Sequence, residues 1–162
     1  MTRIEQKFTS LKKAGRKAFI PFITAGDPSL EITRNLVFAL EEAGADIIEL
    51  GVPFSDPIAD GPVIQRGTER ALANGVGLRD VLQLGAEIRK KSEIPLLLFS
   101  YYNPLMSYGL VNLATDAATA GLDGVMPFCW KFQPLEDRRF WCGCHRCRRA
   151  LRNLAAHIKL IK

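Results

Sequence analysis

Three carboxylates lie close together in this chain, and one of them interrupts an apolar run. Glu49 stands between Ile48 and Leu50, and Asp56 and Asp60 follow in a segment with several prolines. Burying a carboxylate among aliphatic side chains is costly unless the group is paired, protonated or next to solvent. Such surroundings raise the pKa of a carboxyl, which suits a group that gives and takes a proton near neutral pH.

Each of these acids also has an ordinary explanation. Glu49 can cap a backbone amide at the end of a strand or face water. Asp60 lies in Ala59-Asp60-Gly61, which is typical of a turn, and Asp56 precedes a proline in a second turn signal. Residue type and spacing alone leave both interpretations open.

The acids follow the second strand of a predicted strand–helix–strand unit. An almost continuous apolar run over 18–24 predicts a strand covered on both faces, as in a parallel sheet. A second strand is predicted over 45–50, and the separation between the two strands fits a right-handed βαβ crossover. The proline-rich loop over 51–62 then carries Asp56 and Asp60.

The rest of the pattern continues the same alternation. A capping box at Thr2 and Glu5 predicts an amphipathic helix ahead of the core. Asp27-Pro28 predicts the N-cap and first residue of the next helix. The other expectations are a buried face of Ile32, Leu36 and Leu40, helices over 62–75 and 77–91, a strand over 94–99, a loop over 101–104, a helix over 110–121 and a fourth strand from Gly124. Four strands alternating with helices predict an α/β fold with a parallel sheet, drawn as an open half-barrel.

Composition changes abruptly near residue 125. The chain has 162 residues and a net charge of +5, but residues 1–125 hold 13 Lys and Arg against 15 Asp and Glu, and residues 126–162 hold 9 against 2. All four cysteines lie in the second region. We therefore predict a folded part over 1–125 and a basic, Cys- and Arg-rich tail over 126–162 that is not a domain.

The stretches over 19–28 and 47–62 resemble the α subunit of tryptophan synthase, and the resemblance extends from near Thr2 to about Val125. It implies a TIM-type (β/α)8 barrel family, represented by its first half of about four βα units, because a complete barrel typically needs about 250 residues. It also implies a lyase (EC 4.2.1.20) of L-tryptophan biosynthesis that cleaves indole-3-glycerol phosphate to indole and glyceraldehyde 3-phosphate. The implied catalytic residues are Glu49, as general acid and base, and Asp60, which would stabilise the indole nitrogen.

The same resemblance implies a binding pocket and a partner. Phe22 and Tyr102 match positions that line the family's substrate pocket, and aromatic walls suit an indole ring. Pro53 and Asp56 would contact the tryptophan synthase β subunit in an α2β2 tetramer. The chain would need no cofactor, since pyridoxal phosphate belongs to that partner.

The tail allows several interpretations. Cys129, Cys142, Cys144, His145 and Cys147 include enough ligands for zinc, although the spacing is not the usual one, and the arginines allow a nucleic-acid arm. We instead expect no metal and no nucleic acid, and interpret the tail as translation in a shifted frame. The family's phosphate site follows the seventh and eighth strands, so the alternative function is an inactive fragment that retains at most contact with the β subunit.

Hydropathy and the amino-terminal sequence bear on location. No apolar run in the sequence approaches the roughly 20 residues that span a bilayer, and the first residues lack the order of a signal peptide. We therefore expect a cytoplasmic protein that does not bind membranes.

Overall fold

The structure is a computed structural model that describes residues 2–128. Within those residues the strands and helices alternate as the sequence predicts. Their bounds in chain order are α1 (Arg3–Lys13), β1 (Phe22–Thr24), α2 (Leu30–Glu42), β2 (Ile48–Gly51), α3 (Pro62–Ala73), α4 (Leu78–Arg89), β3 (Leu96–Tyr101), α5 (Tyr102–Tyr108), α6 (Leu110–Thr119) and β4 (Gly124–Phe128).

The strands form one parallel sheet in the order β1-β2-β3-β4. Each strand lies beside the next one in sequence, which is the arrangement that successive βα units produce. The predicted α/β fold with a parallel sheet is confirmed. The predicted capping box also forms, because the Glu5 N–H donates to Thr2 Oγ1 at 3.2 Å and the Thr2 N–H donates to Glu5 Oε2 at 2.8 Å.

The two faces of the sheet differ in burial. On the face that packs against the helices, the side chains are inaccessible to solvent, as at Ile48, Leu50, Leu96 and Leu98. Successive side chains of a strand point to opposite faces. The other face, here called the open face, carries the half-buried residues Phe22, Glu49, Leu97, Phe99 and Met126.

The start of α2 differs from the prediction. The N-cap is Ser29, whose Oγ accepts from the Ile32 N–H at 3.2 Å, so Asp27 does not cap the helix. Asp27 instead accepts two hydrogen bonds from Arg70, at 2.7 and 2.8 Å. The partner that redirects Asp27 lies on α3, too far along the chain for a local pattern to reveal.

The buried face of α2 was also predicted wrongly in part. Ile32 and Leu36 are 49% and 41% exposed, whereas Thr33 and Val37 are buried. Thr33 Oγ1 accepts from the Gly26 N–H at 3.0 Å and donates to the Ser29 carbonyl at 2.8 Å, which turns that side of the helix toward the core. Of the predicted face, Leu40 packs against the core.

The predicted loop over 101–104 is wrong as well. β3 runs through Tyr101 and α5 begins at Tyr102, so Pro104 lies in the first turn of a helix. Proline is tolerated there because the first amides of a helix have no intrahelical acceptor. β1 is shorter than predicted, and β4 continues past the expected boundary at 125 to Phe128. The rest of the predicted tail, 129–162, lies outside the described residues.

Acidic residues at the amino ends of the strands belong to a bonded network. The Asp123 side chain has no solvent exposure, and it accepts hydrogen bonds from Arg3 at 3.2 Å, from Arg89 at 3.1 Å and from the Leu96 N–H at 3.0 Å. Arg3 also pairs with the exposed Glu93 at 2.6 Å, which ties α1 to this end of the sheet. Such pairing is what a buried charge needs to be tolerated.

Candidate functional site

Glu49 lies on the open face with apolar neighbours on both sides. In the sheet it is level with Phe22 of β1 and Leu97 of β3. Burial raises the pKa of the Glu49 carboxyl above its ordinary value of 4.5. The described residues place no salt-bridging cation within reach of this side chain. The strand continues to Gly51, so Glu49 lies within β2 rather than at its end.

Phe22 forms an aromatic wall next to this carboxyl. Its ring lies over Gly51, where an added Cβ would come within 2.6 Å of ring atom Cε2, so the position requires glycine. The ring also meets Phe99 edge to face, with centroids 5.5 Å apart. The prediction that Phe22 lines a pocket is compatible with this position and stays a prediction.

Asp60 lies on the loop between β2 and α3, and Tyr101 holds this loop at the open face. The Tyr101 hydroxyl accepts from the Ala59 N–H at 3.0 Å and is hydrogen-bonded to the Asp60 side chain. The backbone carbonyl of Asp60 accepts from Gln65 Nε2 at 2.8 Å. Burial raises the pKa of Asp60, and the hydrogen bond from Tyr101 opposes part of that rise.

Tyr101 is a site residue that sequence reasoning missed. Leu97, Phe99 and Tyr101 alternate along β3 on the face that carries Glu49, and the Tyr101 ring contacts Phe54 and Phe128 at centroid distances of 5.4 and 5.3 Å. Tyr102, the predicted pocket residue, is the first residue of α5 and packs against the hydrophobic core. Alternate residues of a strand lie on the same face, and this pattern distinguishes Tyr101 from Tyr102. The predicted strand ended at 99, whereas β3 continues to Tyr101.

The two predicted partner-contact residues differ in accessibility. Asp56 is exposed, whereas Pro53 is buried, so only Asp56 is accessible to a partner in this structure. Asp56 lines a groove of about 310 Å³ between the loop and α3. The groove also includes Phe54, Pro57, Ile58 and Leu72, and Ile58 is 53% exposed.

The described residues bear on metal binding and on membrane spans. Residues 2–128 contain no cluster of three or more His, Cys, Asp or Glu side chains placed to hold a metal ion. The cysteines and histidine of the alternative zinc site fall between 129 and 147, outside the described residues. Across 2–128, no helix has both the length and the apolar character needed to cross a bilayer.

The sequence is similar to known tryptophan synthase alpha chains. The family model described as "Tryptophan synthase alpha chain" matches residues 8–128. The alpha chain of Caldanaerobacter subterraneus subsp. tengcongensis is 51% identical over 140 residues, which are 86% of this chain and 52% of that one. The alpha chain of Solibacter usitatus is 58% identical over 126 residues, 78% and 47% of the two chains. The chain thus spans about half the length of the curated relatives it matches.

Solved structures show the same relationship. The crystal structure of tryptophan synthase subunit alpha from Legionella pneumophila matches with a TM-score of 0.76 at 47% identity, covering 77% of this chain and 48% of that one. A chain of the tryptophan synthase a2b2 complex from Pyrococcus furiosus matches with a TM-score of 0.64 at 46% identity, covering 67% and 44%. These matches confirm the predicted fold class, the first half of a TIM-type (β/α)8 barrel.

Proposed function

The chain belongs to the tryptophan synthase alpha chain family, and on that premise we propose that it is a lyase of tryptophan biosynthesis that cleaves indole-3-glycerol phosphate. The products are indole and glyceraldehyde 3-phosphate. One observation carries the proposal: a half-buried carboxyl, Glu49, lies beside the aromatic wall of Phe22 and has a raised pKa.

The reaction reverses an aldol addition and needs two proton movements. The indole ring carbon that carries the side chain must gain a proton, and the side-chain hydroxyl must lose one as the carbon–carbon bond breaks and the aldehyde forms. A carboxyl with a raised pKa is able to donate the first proton and, once ionised, to accept the second. In this proposal Glu49 does both, and the enzyme returns to its starting protonation state.

Asp60 has a different role in the proposed reaction. Protonation of the ring carbon leaves the indole nitrogen electron-poor, and a nearby carboxylate stabilises the charge that develops there. The hydrogen bond from Tyr101 favours the ionised form of Asp60, because it lowers the pKa that burial raises. Tyr101 is thus a positioning residue for Asp60 in this scheme.

The partner and cofactor follow from the family. We propose that the exposed part of the loop, with Asp56 and Ile58, contacts a tryptophan synthase β subunit, since the Pyrococcus furiosus relative is part of an a2b2 complex. Pyridoxal phosphate would belong to that subunit, and the proposed chemistry of this chain uses carboxylates alone. Phe22 and Tyr102 remain proposed pocket residues.

A second candidate is an inactive fragment that retains only the contact with the β subunit. It is favoured by the size of the described sheet, which has four strands. The family's phosphate-binding loops follow strands seven and eight, so residues 2–128 supply no counterpart to them. The two candidates predict the same partner and differ in whether indole is released.

Indole release from indole-3-glycerol phosphate, measured with and without excess β subunit, tests the proposal. The proposal predicts release that is lost in Glu49→Gln, by roughly 100-fold or more if the group acts in general acid–base catalysis. Glu93→Gln is the matched control, because it removes an exposed carboxylate at the opposite end of the strands. Binding of the β subunit without indole release would instead support the inactive fragment.

A further inference from the structure

The two outer strands of the described sheet each have one unoccupied edge. Among residues 2–128, β1 pairs with β2 alone and β4 pairs with β3 alone. The Glu49 N–H donates to the Pro21 carbonyl at 3.0 Å and the Ala25 N–H donates to the Gly51 carbonyl at 2.9 Å. Backbone groups alternate in direction along a strand, so the N–H groups of Phe22 and Thr24 point away from β2. Such an edge is a template for another strand.

Exposed apolar side chains are concentrated beside the free edge of β1. Phe19 and Ile20 precede that strand and are 50% and 38% exposed. Ile32 and Leu36 lie on the side of α2 opposite Arg34 and Glu41. Arg34 bonds to Glu87 of α4, and Glu41 bonds to Ser92, which lies between α4 and β3. A helix that normally ends a sheet would place polar residues there. The apolar surface beside β1 is therefore better suited to packing against a further strand–helix unit than to contact with water.

The other edge of the sheet presents a matching strand–helix unit. α6 lies next to β4 in the chain and carries Val111, which is 63% exposed. β4 itself is parallel to β1, and its Met126 lies on the open face at the level of Phe99. Within residues 2–128, each edge therefore has an unpaired parallel strand and a neighbouring helix with at least one exposed apolar residue.

We propose that two copies of this 162-residue chain associate edge to edge, with β1 of each copy beside β4 of the other. All strands then run in one direction, and two sheets of four strands make the eight-stranded closed barrel of the family. A two-fold axis along the barrel repeats the same contact twice, so the assembly closes and does not grow into a filament. Each open face becomes half of one interior, which encloses Glu49 from both copies.

Sedimentation equilibrium of the intact chain over a range of concentrations tests this assembly. The expected mass at high concentration is twice 18.0 kDa. Ile32→Lys should weaken the association by about tenfold or more, since it adds a charge to the exposed apolar surface beside the edge of β1. Val63→Lys is the control, because Val63 is 71% exposed on α3, between the two edges of the sheet.

Hydrogen exchange at the same concentrations locates the contact. Segments 22–24 and 124–128 should both become protected as the dimer forms, because each edge gains a partner strand. A chain that stays monomeric at about 100 μM, well above typical dissociation constants of stable dimers, would overturn the proposal. It would also be overturned if Ile32→Lys and Val63→Lys weaken association equally, or if only one of the segments 22–24 and 124–128 is protected. None of these outcomes depends on whether the chain releases indole.

Discussion

Acidic residues at the amino ends of the strands and those at the open face have different surroundings. At the amino ends, Asp123 is enclosed by two arginines and a backbone amide. At the open face, Glu49 is half-buried among apolar residues, and Asp60 has a tyrosine hydroxyl as its partner. Pairing allows a buried acid to be tolerated in the fold, whereas burial without a paired cation raises the pKa of an acid, which favours a role in proton transfer.

Removing Asp123 should have the largest effect on stability. Asp123→Ala leaves the partly buried Arg89 without its carboxylate, and breaking a buried pair costs about 3–5 kcal/mol. Urea denaturation followed by circular dichroism measures the loss. The control is Glu93→Ala, which removes an exposed partner of Arg3 and should cost far less. Equal losses of unfolding free energy in Asp123→Ala and Glu93→Ala would show that burial does not distinguish the two acids.

Removing the Tyr101 hydroxyl should have an intermediate effect on the free energy of unfolding. Tyr101→Phe deprives the Ala59 N–H and Asp60 of a partner, which should cost about 0.5–1.5 kcal/mol of unfolding free energy. The pKa of Asp60 should rise further, because burial would then act on it without the opposing hydrogen bond. Carboxyl NMR titration detects this change.

Tyr108→Phe is the matched control for that variant. The Tyr108 hydroxyl donates to Asp116 at 2.5 Å, so this change also removes a bond between a tyrosine and a carboxylate, on a different part of the surface. The pKa of Asp60 should not change in Tyr108→Phe. If it changes as much as in Tyr101→Phe, the assigned contact between Tyr101 and the loop is wrong.

The smallest expected effect is the pH dependence that Glu49 contributes to stability. Because its pKa is raised in the folded chain, the folded state binds more protons than the unfolded state between the two pKa values. Stability therefore falls as the pH rises through that window, which begins at the ordinary value of 4.5. The side chain introduced by Glu49→Gln does not titrate. The unfolding free energy of this variant, relative to that of the unmodified chain, should therefore increase with pH and then level off. A relative stability that decreases with pH would contradict the raised pKa.

The features that the sequence predicted correctly depend on local patterns. The capping box of Thr2 and Glu5 involves neighbours in the chain, and the apolar runs of the strands reflect burial that any parallel sheet imposes. Glu49 could be singled out because a carboxyl within such a run is unusual. Assigning roles to Glu49 and Asp60 required the family resemblance, since pattern alone left their ordinary explanations open.

The features that were missed depend on contacts between distant residues. Asp27 looked like an N-cap, but its carboxylate bonds to Arg70 of α3, and Ser29 takes its place. Tyr101 was missed because the predicted strand ended at 99, before the alternation that places Tyr101 on the open face. Ile32 and Leu36 are exposed because the hydrogen bonds of Thr33 turn the other side of α2 toward the core, which the apolar spacing does not reveal.

A carboxyl NMR titration of two glutamates in the same sample tests most directly the contrast between acids at the amino ends of the strands and acids at the open face. Glu49 and Glu93 share the ordinary value of 4.5, but burial raises the pKa of Glu49, and the hydrogen bond from Arg3 lowers the pKa of Glu93. Glu49→Gln and Glu93→Gln assign the two resonances. Titration of Glu49 above 4.5 and of Glu93 below it is the expected result. A Glu49 pKa at or below that of Glu93 would remove the physical basis for placing proton transfer at the open face.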